Sequence, residues 1–298
     1  MEGGINFIAG WFGGVASIFV GHPFDTVKVR QQTLRDSAKL WHSVKSTYQY
    51  EGIPGFFKGI LFPLLSIGAM NSVYFGIYTS TLRRLNTLKY GEKSLDPSYT
   101  DIYLAGCAGG IGQLFITCPT DLVKIKLQIQ REDAKSAIVR AKATKPMYNG
   151  PWHCLYSVYR EKGIRACYKG LGIQFVRDLP SFGLYILVYE FLSKQLEDKN
   201  GSVSSMSTML AGGSAGSVSW IIIMPLDAIK SRLQADRIDK PQYRGVLHCF
   251  SDTCKQDGVR ALFRGSLVCA VRAFPVNAVT FLVYEWTLSA IRYLLNES

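Results

Sequence analysis

Apolar positions in this chain gather into long unbroken stretches instead of alternating with polar ones. Gly3–Phe24, Gly59–Leu82, Ile102–Thr120 and Gly201–Leu226 contain no Asp, Glu, Lys or Arg. Each reaches the roughly 17–25 residues that a helix needs to cross a bilayer. Two further stretches, 171–196 and 266–291, are interrupted by Arg177–Asp178 and by Arg272. The pattern predicts six spanning helices, four clean and two carrying charge inside. Charges at that depth must face protein or water, so the helices are expected to surround a wet cavity. The mean hydropathy of +0.09 is low for a membrane protein and fits amphipathic spans of this kind, while the four charge-free runs disfavour a soluble helical α/β enzyme with buried helices.

A ten-residue phrase closes three of these stretches. It reads PFDTVKVRQQ from Pro23, PTDLVKIKLQ from Pro119 and PLDAIKSRLQ from Pro225. A second phrase follows each time: GIPGFFKG over 52–59, GIRACYKG over 163–170 and GVRALFRG over 258–265. Repetition of this kind states architecture before any local detail. It divides the chain into repeats at 1–88, 98–197 and 203–294. Each repeat is predicted to be a spanning helix, a loop with a short amphipathic helix, and a second spanning helix. The fold class is therefore an all-α membrane protein of six transmembrane helices in three tandem repeats. Gly10 and Gly14, Gly106 and Gly110, Gly212 and Gly216 give Gly-x-x-x-Gly on each first helix, a spacing that allows close helix approach in lipid. Pro23, Pro119 and Pro225 remove a backbone donor and are expected to kink these helices near their ends. The insertion 131–146 is basic and is expected to be a solvated loop.

Charge and composition narrow the chemistry. The 34 Lys and Arg against 22 Asp and Glu leave a net charge of +12, which suits anionic membrane surfaces or anionic solutes. Nucleic-acid binding is disfavoured by the charge-free spans. The N-terminus lacks a basic n-region and a small-residue cleavage site, so no signal peptide is expected. The seven cysteines form no Cys-x-x-Cys pair, which points to free thiols and not to a disulfide framework. His42, His153 and His248 each precede a closing glycine by seventeen residues. Their places in three separate connectors favour a shared structural role over a metal site. No cofactor, metal or catalytic constellation is expected.

Within the proline phrases, Asp25, Asp121 and Asp227 stand at one depth and Lys28, Lys124 and Lys230 one turn further on. Three acids and three bases so placed can close a ring: Asp25 to Lys124, Asp121 to Lys230, Asp227 to Lys28. Buried pairs of this sort give modest net stability; their use is as a latch with two states. Gln32, Gln128 and Gln234 are placed to brace the pairs.

This constellation resembles the mitochondrial carrier family, solute carrier family 25, along essentially the whole chain. The resemblance implies a threefold pseudosymmetric bundle in the inner mitochondrial membrane, with short helices on the matrix side. It also implies alternating access around one central site, with the charge ring as the matrix gate. The family's substrate-contacting positions lie seven and eight residues after the closing glycine, with others one turn on. Here they fall on Ser66, Met70 and Asn71 in the first repeat, Arg177 and Asp178 in the second, and Arg272 in the third. Guanidiniums suit a carboxylate; Asp178 suits an ammonium, or else serves to neutralise Arg177. Trp220 could hold a cationic nitrogen by cation–π contact or could be an ordinary packing residue.

The runs Arg177-Asp178-Leu179-Pro180 and Arg272-Ala273-Phe274-Pro275 resemble the carnitine, ornithine and basic amino-acid branch, in particular its orphan carnitine/ornithine-like carriers. One departure is Met70 directly before Asn71-Ser72-Val73, where ornithine-type carriers usually place an acid. A thioether suits a softer, methylated cation better. The expected substrate is a zwitterion with a methylated or bulky cationic end, with carnitine, acylcarnitine or choline as alternatives. A scaffold or proton leak on the same fold is the alternative from another class. On the opposite gate, Ser193 and Leu288 replace the expected bases after Tyr189–Glu190 and Tyr284–Glu285, so a weak outer gate is expected. The expected partners are a small zwitterionic solute and the bilayer with its cardiolipin; the carrier is expected to act as a monomer, without nucleic acid.

Overall fold

The computed structural model of the chain describes residues 2–34, 39–91, 98–139, 147–178 and 222–296. All regular structure among the described residues is helical. The first repeat has α1 (Glu2–Thr33), α2 (Leu40–Glu51), a 3-10 turn (Ile53–Phe57) and α3 (Leu61–Tyr90). The second has α4 (Tyr99–Val139), α5 (Pro151–Lys162), α6 (Ile164–Cys167) and α7, described over 171–178. The third has α8, described over 222–235, then α9 (Val246–Asp257), a 3-10 turn (Val259–Phe263) and α10 (Ser266–Asn296). Ile53–Lys89, Thr100–Gln130 and Val259–Leu294 are long and apolar enough to cross a membrane. The expected spans over Gly3–Phe24, Gly59–Leu82, Ile102–Thr120 and 266–291 fall on α1, α3, α4 and α10. Most of the other two runs through residues outside the described set.

The repeats share their local grammar. Each connector helix is twelve residues long and ends at a glycine of positive φ: Gly52 at +65°, Gly163 at +70° and Gly258 at +77°. Such backbone favours glycine because it has no Cβ to clash. A short turn follows, and then the closing glycines Gly59, Gly170 and Gly265, at +81°, +90° and +89°. These last three also lie against the next repeat's proline phrase. A Cβ on Gly59 would stand 3.0 Å from the Lys124 carbonyl oxygen, one on Gly170 3.2 Å from Gln234 Cγ, and one on Gly265 3.1 Å from Lys28 Cγ. The two phrases of the sequence thus meet across repeat boundaries, in the cyclic order one to two, two to three, three to one.

Packing follows the same cycle. Three residues after each closing glycine, Phe62 enters the core formed by Leu122, Val123, Cys154 and Val158, and Ile173 enters that of Ile229, Leu233, Cys249 and Leu262. The equivalent Val268 instead borders an apolar groove of about 280 Å³ with Pro23, Phe24, Val27, Leu40 and Val44. A smaller side chain leaves the third seam less filled. Helix α1 packs along α10 and α3 along α4, so the first and last helices of the chain meet.

Two expectations change. Helix α4 continues to Val139, past the start of the presumed loop at 131, because Glu132, Ala134, Lys135 and Ala137 favour helix and no glycine or proline stops it; residues 140–146 lie outside the described set. The close helix approaches are made at Gly13, Gly14, Gly109 and Gly112, where an added Cβ would meet Thr280 O at 3.0 Å, Ile67 Cδ1 at 2.6 Å, Tyr74 O at 2.9 Å and Ile77 Cδ1 at 2.1 Å. Of the Gly-x-x-x-Gly positions, Gly14 makes such an approach, whereas Gly10 faces open space and Gly106 has its nearest neighbour at 3.8 Å; Gly13, Gly109 and Gly112 stand outside those pairs. Gly212 and Gly216 lie outside the described residues. Pro23 and Pro119 sit inside α1 and α4 and Pro225 inside α8; each helix continues past its proline, to Thr33, Val139 and residue 235.

Candidate functional site

Because each proline phrase sits at the same depth on α1, α4 and α8, its acid and base face the neighbouring repeats. Lys124 Nζ lies 2.6 Å from Asp25 Oδ2, Lys230 Nζ 2.5 Å from Asp121 Oδ2 and Lys28 Nζ 2.7 Å from Asp227 Oδ2. These are the three pairings that the spacing suggests, and together they form a closed ring.

The ring is not threefold in its further contacts. Asp227 also accepts from Arg177 Nη1 at 2.8 Å and from Gln32 Nε2 at 3.2 Å. Asp25 has Arg272 Nε 3.1 Å from its Oδ1; that contact is an ion pair without hydrogen-bond alignment at Nε. Asp121 has Lys230 and, in place of an arginine, the amide of Gln174 at 3.3 Å. The asymmetry is written in the sequence: seven residues after the closing glycines stand Ser66, Arg177 and Arg272. Thus the two arginines expected to meet substrate are shared with two ring carboxylates. Sequence reasoning kept those groups in separate sets. It also missed Gln174, a polar residue four positions after Gly170 in an otherwise apolar run, which was the signal available.

A cavity of about 120 Å³ lies among these groups, lined by all six ring residues with Arg177, Arg272, Val29, Ile125 and Ser231. Five bases against three acids give its walls a cationic excess. Asp178 is not among the lining residues; it accepts from Arg177 Nε at 2.6 Å, which neutralises that guanidinium in part. Ser66, Met70 and Asn71 do not line the cavity either. The Ser66 hydroxyl turns back onto the Phe62 carbonyl of its own helix at 2.7 Å, as serines within helices commonly do. Trp220 lies outside the described residues, as do Tyr189, Glu190 and Ser193. At the other end, Tyr74 and Tyr78 stack with centroids 6.1 Å apart, and Lys89 of α3 pairs with Asp101 of α4.

The glutamines divide. Gln32 braces Asp227, but Gln128 donates to Thr26 Oγ1 at 3.0 Å and lies 3.4 Å from His22 Nε2. Gln234 reaches the Lys169 carbonyl at 3.4 Å and Cys118 Sγ at 3.9 Å. His22, Cys118 and Met224 all stand directly before the motif proline, and Gln32 also points to Met224 Sδ at 3.3 Å. The side chain before the proline therefore lies within reach of each glutamine amide, but in two repeats the shorter contact, to Thr26 or to the Lys169 carbonyl, draws the amide away from the ion pair.

Below the ring a second set of contacts ties the phrases to the connector helices. Arg30 donates to both carboxylate oxygens of Glu51 at 2.9 Å and to the Gln128 carbonyl. Arg232 repeats the scheme with Asp257 at 2.8 Å and the Gln32 carbonyl at 2.8 Å. In the second repeat the acid position holds Lys162, and the buried Lys126 donates to the Asp236 carbonyl at 2.9 Å. The missing carboxylate is supplied by Asp236 of the third repeat, whose Oδ2 pairs with Lys169 at 2.8 Å.

His42, His153 and His248 are exposed on α2, α5 and α9; among the described residues no group of His, Cys, Asp or Glu has the arrangement to hold a metal. All seven cysteines are free. Burial pushes the Cys154 thiol up to about 12 and the Cys249 thiol up to about 11, so both are inert packing groups at neutral pH.

The chain matches the mitochondrial carrier protein family three times in succession, over residues 2–89, 96–200 and 201–293. It is 41% identical over 284 residues to Solute carrier family 25 member 45 of Mus musculus, covering 95% of this chain and 97% of that protein. Member 47 of Homo sapiens is 39% identical over 307 residues, covering 98% and 100%. Member 48 of Homo sapiens is 40% identical over 296 residues, covering 96% and 95%. With three repeats, a closed charge ring and relatives alike from end to end, this chain belongs to the mitochondrial carrier family of solute transporters and is not an enzyme.

Proposed function

We propose that this carrier moves a zwitterionic solute with a methylated or bulky cationic end, such as a methylated basic amino acid or a carnitine-like compound, across the mitochondrial inner membrane. The observation that carries the reading is the cationic excess of the cavity wall, in which Arg177 and Arg272 stand beside the ring acids. A guanidinium takes a carboxylate through two parallel hydrogen bonds. Arg177 is already engaged by Asp178 and Asp227, whereas Arg272 meets Asp25 without hydrogen-bond alignment at Nε, which makes Arg272 the principal carboxylate ligand. Asp178, with Trp220 and Met70, then answers to the cationic end, while Ser66 and Asn71 contribute neutral polar contacts.

In this reading the ring is the matrix gate. A substrate carboxylate at Arg272 or Arg177 competes with Asp25 or Asp227 for the same guanidinium. Occupancy thereby withdraws a guanidinium that braces one ring acid and biases the carrier toward its matrix-open state. The outer gate, with Leu288 and Ser193 where bases would complete a second ring, is weaker, so slow uniport accompanies exchange. The carrier works as a monomer of the three repeat domains 1–88, 98–197 and 203–294, in a cardiolipin-containing bilayer.

The test is a thermal-shift screen of the purified carrier against carnitine, choline and basic amino acids with and without N-methylation, followed by uptake into proteoliposomes. Bound substrate stabilises the folded state by mass action. Methylated zwitterions are expected to shift the melting temperature most and to exchange fastest. Faster exchange of ornithine and lysine than of their methylated forms would sink the reading. Arg272→Ala is expected to keep the fold and lose transport, an outcome that a scaffold role does not produce.

A further inference from the structure

Gly21 is buried on α1, two residues before the motif proline, in a place no motif marks. A Cβ built there would stand 3.0 Å from Arg272 Nε, 3.2 Å from Arg272 Nη2 and 3.2 Å from Val276 Cγ2. The guanidinium of the third repeat therefore occupies the space that a side chain at position 21 would fill. One helical turn further on, Asp25 Oδ1 lies 3.1 Å from the same Nε. The equivalent positions in the other repeats carry Thr117 and Ile223, so this seat belongs to the first repeat alone.

We infer that Gly21 is a positioning residue for Arg272: its missing side chain lets the guanidinium lie between the α1 backbone and Asp25, and this fixes how the carrier takes a carboxylate. The inference rests on the reading of Arg272 as carboxylate ligand given above. An arginine has many rotamers of similar energy, and its fork selects a carboxylate only when its plane is held. Here one side of the fork is set by main chain, one end by Asp25, and the next turn of α10 by Val276. An added methyl group would move the fork by a few tenths of an ångström, away from both the main chain and the carboxylate. Two-point hydrogen bonding is sensitive to such a tilt, whereas recognition of a cation without a carboxylate is not.

The experiment is a set of double-mutant cycles on the full-length carrier. Gly21→Ala is expected to raise KM for carnitine about tenfold with Vmax little changed, and to leave inhibition by choline, which lacks a carboxylate, as it was. It is also expected to lower the melting temperature of the purified carrier. The melting penalty should disappear when Gly21→Ala is made in an Arg272→Ala background, because alanine has no atoms where Nε and Nη2 stand. A melting penalty that persists with Arg272→Ala and vanishes with Val276→Ala would show packing against Val276 alone and overturn the inference. An unchanged KM or an unchanged melting temperature in Gly21→Ala would also overturn it. If the wild-type carrier transports and binds none of these probes, the substrate reading fails by itself, and the melting cycle still decides the role of Gly21.

Discussion

The three ring pairs are unequal, and neutralising their acids one at a time should expose the difference. Asp227 is 6% exposed at its side chain and accepts from Lys28, Arg177 and Gln32. Changing it to Asn keeps an acceptor for Gln32 but leaves Lys28 buried without its carboxylate. Removing one partner of a buried pair costs about 3–5 kcal/mol, and Arg177, which retains Asp178, adds little. Asp121 is 24% exposed and has one cation and one amide. Solvent reaches Asp121, though not Lys230 at 4% exposure, and Lys230 keeps the attraction of Asp227, so Asp121→Asn should cost about 1–2 kcal/mol. The difference of about 2–3 kcal/mol corresponds to about 4–12 °C in melting temperature for a chain of this size. The buried thiols of Cys118, Cys154 and Cys249 supply the assay, since a thiol-reactive fluorophore reports their exposure as the purified carrier is heated. Equal shifts for the two variants, or a larger one for Asp121→Asn, would refute the reasoning that arginine sharing makes the ring unequal.

Two further outcomes follow from the contacts below the ring and in the connectors. Arg30→Met should destabilise by about 2–3 kcal/mol because it leaves the buried Glu51 with Lys58, 3.2 Å away, as its remaining cation, whereas Lys126→Met, which strands no carboxylate, should change stability by less than about 1 kcal/mol; melting curves of the two variants check the contrast. Cys154 and Cys249, held as thiols by burial, should resist maleimide at pH 8 in the folded carrier, while the partly exposed Cys254 is labelled; mass spectrometry after timed labelling checks this, and equal labelling of all three would contradict the burial described here.

Much of the architecture was legible because it is repeated. Charge-free stretches marked the helices, and the proline phrase placed acids and bases at one depth, from which their pairing follows by geometry alone. What escaped notice depends on side chains from different repeats arriving at the same atom. The spacing of Arg177 and Arg272 placed them near the cavity, but nothing in a linear reading shows that each reaches a ring carboxylate. Likewise Gln128 and Gln234 carry the same motif position as Gln32, yet the Thr26 hydroxyl and the Lys169 carbonyl draw them elsewhere. The helix beyond residue 131 was hidden by its charge, which reads as loop although its residues favour helix. Asp236 stands in for an acid missing one repeat away, a substitution that only tertiary structure reveals.

The contacts from Gly59 to Lys124, Gly170 to Gln234 and Gly265 to Lys28 have a bearing on inheritance as well as on packing. Each repeat supplies one half of a joint and receives the other half from its successor, and the last returns to the first. Chain order is therefore absent from the joints: a circularly permuted gene beginning at the second repeat would satisfy every one of them, whereas a gene of two repeats would leave a glycine and a proline phrase without counterparts. Substitutions at these joints should accordingly be correlated between adjacent repeats and not within one, so that the unit on which selection acts is the seam.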